Sequence, residues 1–250
     1  MSTQRIGLFG TGRLGGAIAA AGGARIAWQV ARQSPPDRPV DVAIEASSGS
    51  VVEERLRWAL ATRTSLVIGS TGWSIPDLAQ RVGERIGVVV APNFSLTVAL
   101  LARITDVLGR FAALDAARDP YLVEHHHARK KDAPSGTARL LAKRLLAACP
   151  RKTAWGFASL EAPLPEHVLS VASVRAGSTY SEHRVGIDAP GEVIELRHEA
   201  RSAEPFAQGA LAAADWIARR KGVFAFDDVA RSVLDPLFPD PDLRSEEARR

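Results

Sequence analysis

"RIGLFGTGRLG", Arg5 to Gly15, carries a short apolar run into glycines at 10, 12 and 15, and the "LGGAIAAAG" that overlaps its end suits a helix. A strand, a tight turn and a helix start in this order form the opening unit of a dinucleotide-binding fold. Gly10 permits the turn, Gly12 lets a pyrophosphate approach the backbone, and Gly15 lets helix pack on strand. Glycine turns are common in alanine-rich chains, so the flanking strand and helix give the pattern its weight.

The segments that follow keep the same rhythm. "VDVAIEAS" (Val40–Ser47), "TSLVIGSTG" (Thr64–Gly72) and "GVVVAPNFS" (Gly87–Ser95) are buried-type strand runs, with the helical "VVEERLRWALA" between the first two. Strands alternating with helices predict an α/β chain with a doubly wound parallel sheet. Ligands bind beyond the strand C-termini of such sheets, which makes Gly69, Ser70 and Thr71, and Ala91, Asn93 and Phe94, candidate nicotinamide contacts. An acid about 20 residues past the glycine turn normally accepts the ribose hydroxyls of NAD. Here the second strand, "ARIAWQVAR", ends at Ala31 and Arg32, and the next acid, Asp37, lies beyond two prolines. Arginine without the acid suits a 2′-phosphate, so NADPH is the expected cofactor, with NADH left open.

The chemistry concentrates in "VEHHHARKKDAPSGTARLLAKRLL", Val123 to Leu146. Tyr121 to His127 reads as a short strand, and Ala138, Leu141, Leu145 and Ala148 recur at helical spacing after a polar loop. Ser135, Gly136 and Thr137 fall where that helix begins, a place whose free N–H groups favour a carboxylate or phosphate. Lys130 adds a point charge for the same anion. Histidine titrates near neutrality, so His126 and His127 are the candidate proton carriers. Side chains alternate along a strand, so both face one cleft only if the chain leaves strand geometry there. On residue types alone a solvated strand end accounts for three histidines equally well. No metal is expected, because Cys149 is a lone cysteine and His167, His183 and His198 are unpaired in sequence.

From His167 to Ser202 the chain turns to alternating, β-branched residues, with hairpin signals at Ala176-Gly177 and Pro190-Gly191, predicting a mixed or antiparallel sheet. "PFAQGALAAADWIARRKG" reads as an amphipathic helix with Phe206, Ala210, Ala213 and Ile217 on one side, expected to return over the first sheet. "VFAFDDVARSVL" reads as another short helix, and the charged tail from Pro239 is expected to fray.

Composition narrows the class. The chain of 250 residues is 46% hydrophobic, without a long apolar stretch, so it supports a full core and predicts no membrane span. Met1 to Gln4 lead straight into the first strand, so no secretory signal is expected, and one cysteine fits a reducing cytoplasm. The net charge of +4 is spread along helices, which favours small anionic ligands over nucleic acid.

Five ordered motifs carry a resemblance to a known family. His126-His127, then Lys130 and Asp132-Ala133-Pro134-Ser135-Gly136-Thr137-Ala138, form the most specific string. The glycine turn, Gly69-Ser70-Thr71-Gly72, Ala91-Pro92-Asn93-Phe94-Ser95, and Ser173-Val174-Arg175-x-Gly177 with Glu182-His183 support it. Over Ile6 to about Leu234 the chain resembles the dihydrodipicolinate reductases (4-hydroxy-tetrahydrodipicolinate reductases) of bacterial lysine biosynthesis, in their short form. The resemblance implies a Rossmann-like domain from residues 1–95 and 203–250. It also implies a central α+β domain, residues 96–202, whose open mixed sheet builds a homotetramer. His126 would be the catalytic acid with Lys130 its partner; His127, Lys130, Ser135, Gly136 and Thr137 would hold a dicarboxylate substrate. Gly10, Thr11, Gly12, Arg13, Leu14 and Arg32 would join the two later turns on the cofactor. The chain departs from the family at Thr97 and Ser181, where glycine is usual, and at "IEASS". His125 is an extra histidine, and Ser70 a mild replacement. Two rivals stay in view: a reductase of another cyclic imine or oxo acid, and a non-catalytic dinucleotide binder. Turnover with the lysine-pathway intermediate separates the first, and indifference to loss of His126 the second.

Overall fold

A computed structural model describes residues 4–31, 33–159 and 162–238. Arg32 and the tail from Pro239 lie outside the described residues. The chain divides into two compact units, Met1–Phe94 with Phe206–Arg250, and Ser95–Pro205.

The first unit holds β1 (Ile6–Phe9), α1 (Arg13–Gly22), β2 (Ile26–Val30), β3 (Val42–Glu45), α2 (Val52–Thr62), β4 (Ser65–Ile68), α3 (Leu78–Val82) and β5 (Gly87–Val90). β1, β3 and β4 are fully buried, as expected of strands covered on both faces. With β11 (Gly222–Ala225) at one edge, the sheet runs β11-β5-β4-β3-β1-β2 with every pairing parallel, so the strand order reverses between β1 and β3. That reversal is where a doubly wound sheet opens its ligand crevice.

Two later segments complete this unit. From Phe206 the helix α6 (Glu204–Ile217) belongs to it, and buries Ala207, Ala210, Ala213, Ala214 and Ile217. Gly209 explains how closely it lies, since a Cβ there would stand 1.8 Å from the Phe94 carbonyl oxygen. Replacing Gly209 by alanine forces the helix outward and costs about 1–3 kcal/mol, a fall of several degrees in Tm that a thermal melt will show. "VFAFDDVARSVL" is not one helix. Gly222–Ala225 form β11, which pairs with β5 from Gly222 opposite Gly87, and α7 (Phe226–Leu234) starts only afterwards. Val-Phe-Ala suits the vacant sheet edge, and the Asp228 carboxylate accepts the Ala225 N–H at 2.8 Å to open the helix.

The second unit contains α4 (Leu96–Ala113), β6 (Asp119–His126), α5 (Gly136–Ala148), β7 (Ala154–Gly156), β8 (Val168–Arg175), β9 (Ser181–Ala189) and β10 (Glu192–Ala200). Its mixed sheet has the order β10-β9-β6-β8-β7, with β6, β7 and β8 parallel and β9 and β10 antiparallel to their neighbours. Leu101, Leu108 and Ala112 of α4 and Ala138, Leu141 and Leu145 of α5 share one core with Leu122, Leu169, Val171, Val185 and Ile187 of the strands. Pro190-Gly191 is the expected two-residue hairpin, with Gly191 at φ 94° and Ala189 opposite Glu192. Ala176-Gly177 is not a hairpin. β8 and β9 flank β6 on opposite sides, so their link crosses the end of β6, and the Ala176 N–H donates to the His126 carbonyl at 3.1 Å.

Candidate active site

The site in the second unit grows from β6. Burial alternates along it, so Leu122, Glu124 and His126 point to the core side while Val123 and His125 are half-buried. The strand stops at His126, and the Lys130 N–H closes a turn on the His127 carbonyl at 3.0 Å. The departure from strand geometry that two neighbouring histidines require is present.

Glu124 is the centre of the arrangement. Its Oε1 accepts the Ser135 N–H at 3.0 Å, the Ser173 hydroxyl at 2.6 Å and the Arg175 guanidinium at 2.6 Å. Its Oε2 faces His126 Nδ1 at 3.4 Å and His183 Nε2 at 3.7 Å. Burial pushes this carboxyl up, but the bonds from Ser135, Ser173 and Arg175 outweigh it and hold the pKa at about 2. Ser135 is the N-cap of α5, its Oγ accepting the Ala138 N–H at 3.1 Å and lying 3.1 Å from His183 Nε2. The Ser135 residue is therefore buried beneath the helix start. Gly136 is exposed, with nothing within 4 Å of the position a Cβ would take, and Thr137 is half-buried beside it.

Lys130 is held by Asp132, with Nζ 2.7 Å from Oδ1. Burial works against the Asp132 charge, but the Lys130 hydrogen bond and ammonium prevail and lower its pKa. His125 has its Nε2 3.1 Å from the Ala176 carbonyl, which ties it to the crossing loop. Histidine near neutral pKa was the expectation for His126, and this is corrected. Desolvation brings it down to about 4 against the pull of Glu124, with Lys130 and Arg175 adding to the fall, and His183 drops to about 3 chiefly by burial. Both imidazoles are neutral at pH 7 before a ligand arrives.

Glu124, His126 and His183 each offer a donor atom, all within 4.8 Å of one another. Arg175 already neutralises the carboxylate and Lys130 stands close by, so a dication there would meet positive charge from two sides.

In the first unit Gly10 takes φ 119°, and a Cβ on Gly15 would lie 2.2 Å from the Gly10 carbonyl oxygen. Both glycines do what the sequence assigned to them. Gly12 is the N-cap of α1 and makes no side-chain capping bond, its Cβ position is open, and no acid lies in the first turn. Thr11 and Arg13 are exposed and Leu14 half-buried around this helix start, so the residues present fit a bound pyrophosphate. Ser70 and Thr71 are exposed or half-buried, whereas Ala91 and Phe94 are buried. Phe94 lies against Gly69 and stacks edge-on with Phe226 at 5.7 Å, so its ring supports the site from behind. Asn93 is half-buried. Thr97 is exposed on the first turn of α4 and Ser181 half-buried at the start of β9.

The fold and the glycine turn define the dinucleotide-binding α/β class. Within it, sequence profiles for the C-terminus and the N-terminus of dihydrodipicolinate reductase match residues 96–230 and 19–94. The 4-hydroxy-tetrahydrodipicolinate reductase of Syntrophobacter fumaroxidans is 34% identical over 197 residues, 76% of this chain and 73% of that protein. That of Magnetococcus marinus is 35% identical over 199 residues, 77% and 74% of the two chains. The chain belongs to the dihydrodipicolinate reductase family. A dipicolinate-bound dihydrodipicolinate reductase from Paenisporosarcina shares the fold with a TM-score of 0.69 at 19% identity, over 90% of this chain and 98% of that one. An amine dehydrogenase from Mycobacterium smegmatis shares it more loosely, with a TM-score of 0.58 at 12% identity over 90% and 96%.

Proposed function

We propose that the chain reduces 4-hydroxy-tetrahydrodipicolinate to tetrahydrodipicolinate, with loss of water, in the diaminopimelate route to lysine. The observation that carries this reading is the convergence of His126, Glu124, Lys130 and the α5 helix start on one cluster. Gly10, Thr11, Gly12, Arg13, Leu14, Gly69, Ser70, Thr71 and Asn93 would hold the nicotinamide dinucleotide, with backbone contact from Ala91 and Phe94. That group supplies a hydride when bound.

The residues of the second unit do the rest. His126 turns Nδ1 toward Glu124, which leaves Nε2 as the atom that passes a proton to the substrate. Lys130, His127, Gly136 and Thr137 bind the two carboxylates, and Ser135 fixes the helix start they meet. The ammonium stabilises negative charge that develops on the ring. A dianionic ligand raises the His126 pKa from about 4 toward neutrality, because negative charge favours the imidazolium. NMR titration of the His126 ring with and without dipicolinate will show this rise; an unchanged pKa would remove His126 from the carboxylate site.

The missing acid after β2 favours NADPH over NADH. Assembly as a homotetramer through the mixed sheet is supported by exposed Val174, Val193 and Ile194 on β8 and β10. Among the described residues no helix is long and apolar enough to cross a membrane, and a cytoplasmic location suits a chain with one free, buried cysteine. The deciding experiment supplies pyruvate and aspartate semialdehyde to the preceding synthase, adds the purified chain and follows NADPH and NADH oxidation separately. NADPH oxidation is expected to be faster, and none with either cofactor would overturn the proposal.

A further inference from the structure

The crevice where the strand order reverses contains a buried carboxylate that the reaction does not use. Glu45 ends β3, and its backbone lies level with Phe9 of β1 and Ile68 of β4. Its side chain is fully buried. Oε1 accepts the Ser47 N–H at 2.6 Å, the Ser47 hydroxyl at 2.5 Å, the Ser48 N–H at 3.2 Å and the Ser70 hydroxyl at 3.0 Å. One atom thus joins the loop after β3 to the turn after β4.

Backbone packing carries the junction to neighbouring loops. The Gly69 N–H donates to the Glu45 carbonyl at 2.8 Å. A Cβ on Gly49 would stand 2.2 Å from the Thr71 carbonyl oxygen, and one on Gly10 would stand 2.5 Å from that of Ala46. The loops after β1, β3 and β4 are therefore in mutual contact around this carboxylate. Behind it lies Arg55 of α2, also buried, with Nε 3.8 Å from Oε2 and its guanidinium 4.3 Å above the Phe9 ring. Uncompensated, a buried anion here would repel a pyrophosphate at the neighbouring glycine turn, and Arg55 offsets that charge at the oxygen the loops do not bond.

We infer that Glu45 is a positioning residue for the dinucleotide site, holding the Ser47–Ser48 loop and the Ser70 turn at the spacing the bound cofactor requires without touching it. This rests on the nicotinamide-dependent reading above. The sheet does not need the carboxylate for its own ladder, because the backbone of β3 already pairs with both neighbours. The bonds it accepts come from strand-end loops, which are the elements a ligand meets.

The test is calorimetric binding of NADPH and, separately, of dipicolinate to the wild-type chain, Glu45→Ala, Ser70→Ala and the double variant, alongside their melting temperatures. Glu45→Ala is expected to weaken NADPH roughly tenfold, the scale of a lost buried hydrogen-bond hub, and to leave dipicolinate within about twofold. In the double variant the losses are expected to be less than additive, because both changes cut one connection. NADPH affinity within about twofold of wild type, or equal weakening of both ligands, would overturn the inference in favour of a purely structural role. If Glu45→Ala does not fold, Ser47→Ala with Ser70→Ala removes two of the four donors, both hydroxyls, while keeping the carboxylate, and unchanged NADPH binding there overturns it equally. A wild-type chain that binds dipicolinate but no nicotinamide dinucleotide would overturn the cofactor reading itself, and the two failures are thus told apart.

Discussion

Glu124→Gln is expected to lower the melting temperature of the central unit by about 10 °C and to remove most of the turnover. The carboxylate is fully buried and, among the described residues, is the one paired with the Arg175 guanidinium, at 2.6 Å. An amide leaves that guanidinium without its anion, a loss of about 3–5 kcal/mol for a broken buried pair. The Ser173 hydroxyl and the Ser135 N–H both donate to the same oxygen, Oε1, so the amide holds them only with its carbonyl there, as a weaker, uncharged acceptor. The α5 helix start then shifts, and with it the groups that meet the substrate. The pH profile of stability separates charge from shape. Glu124 titrates at about 2 in the folded chain against 4.5 in the open one, so its contribution is complete above pH 4.5 and disappears as pH falls through 2. His126 and His183 are held below their usual 6.5, at about 4 and about 3, so their contribution is complete above 6.5 and is lost as pH falls through those values. Chemical denaturation between pH 7 and 2 should show both losses in the wild type and only the histidine loss in Glu124→Gln. An identical pair of acid profiles would show that the carboxylate is not the group holding the cluster.

How much of this was legible in the sequence depends on whether the signal was local. The parallel sheet was, because buried strands fully covered on both faces read as continuous apolar runs, and the glycine turn carried its own geometry in three residues. The start of α5 was equally plain, since Ser-Gly-Thr before an apolar-periodic run is a capping signal. β11 was missed because four residues fit a strand or a first helical turn alike, and only the vacant edge beside β5 decides between them. The crossing of β8 to β9 was missed for a related reason: a glycine turn between two strands looks like a hairpin unless one knows that β6 lies between them. Glu124 was within reach. The period of two along β6 puts it on the face of Leu122 and His126, and a lone acid on a core face demands hydrogen-bonding or cationic partners. Ser173, Arg175 and His183 supply them from distant strands, which no spacing in the sequence could pair. The same holds for Glu45, whose four donors come from two loops 25 residues apart at most.

His126→Gln is expected to lower kcat by roughly 10²–10⁴-fold, the range for losing a positioned acid, while the NADPH dissociation constant stays within about twofold. Glutamine keeps much of the shape and a polar group facing Glu124 but cannot carry a titrating proton. The imidazole is neutral in the free chain because burial outweighs Glu124, and the dicarboxylate must raise its pKa before it serves as an acid. The two halves of that cycle report on different kinetic constants. kcat/KM follows the free protein, where the pKa is about 4, and kcat follows the complex, where it is higher. In the wild type, activity that needs the imidazolium should therefore fall with rising pH at a lower pH in kcat/KM than in kcat. The gap between the two midpoints measures what the substrate charges contribute. In His126→Gln the gap should vanish, with both profiles losing that limb. Lys130→Ala should leave the limb in place, raise KM for the substrate and reduce kcat less than His126→Gln does, because the ammonium binds and stabilises charge without donating the proton. A full-sized kcat in His126→Gln, or a surviving pH limb, would assign the proton to another group.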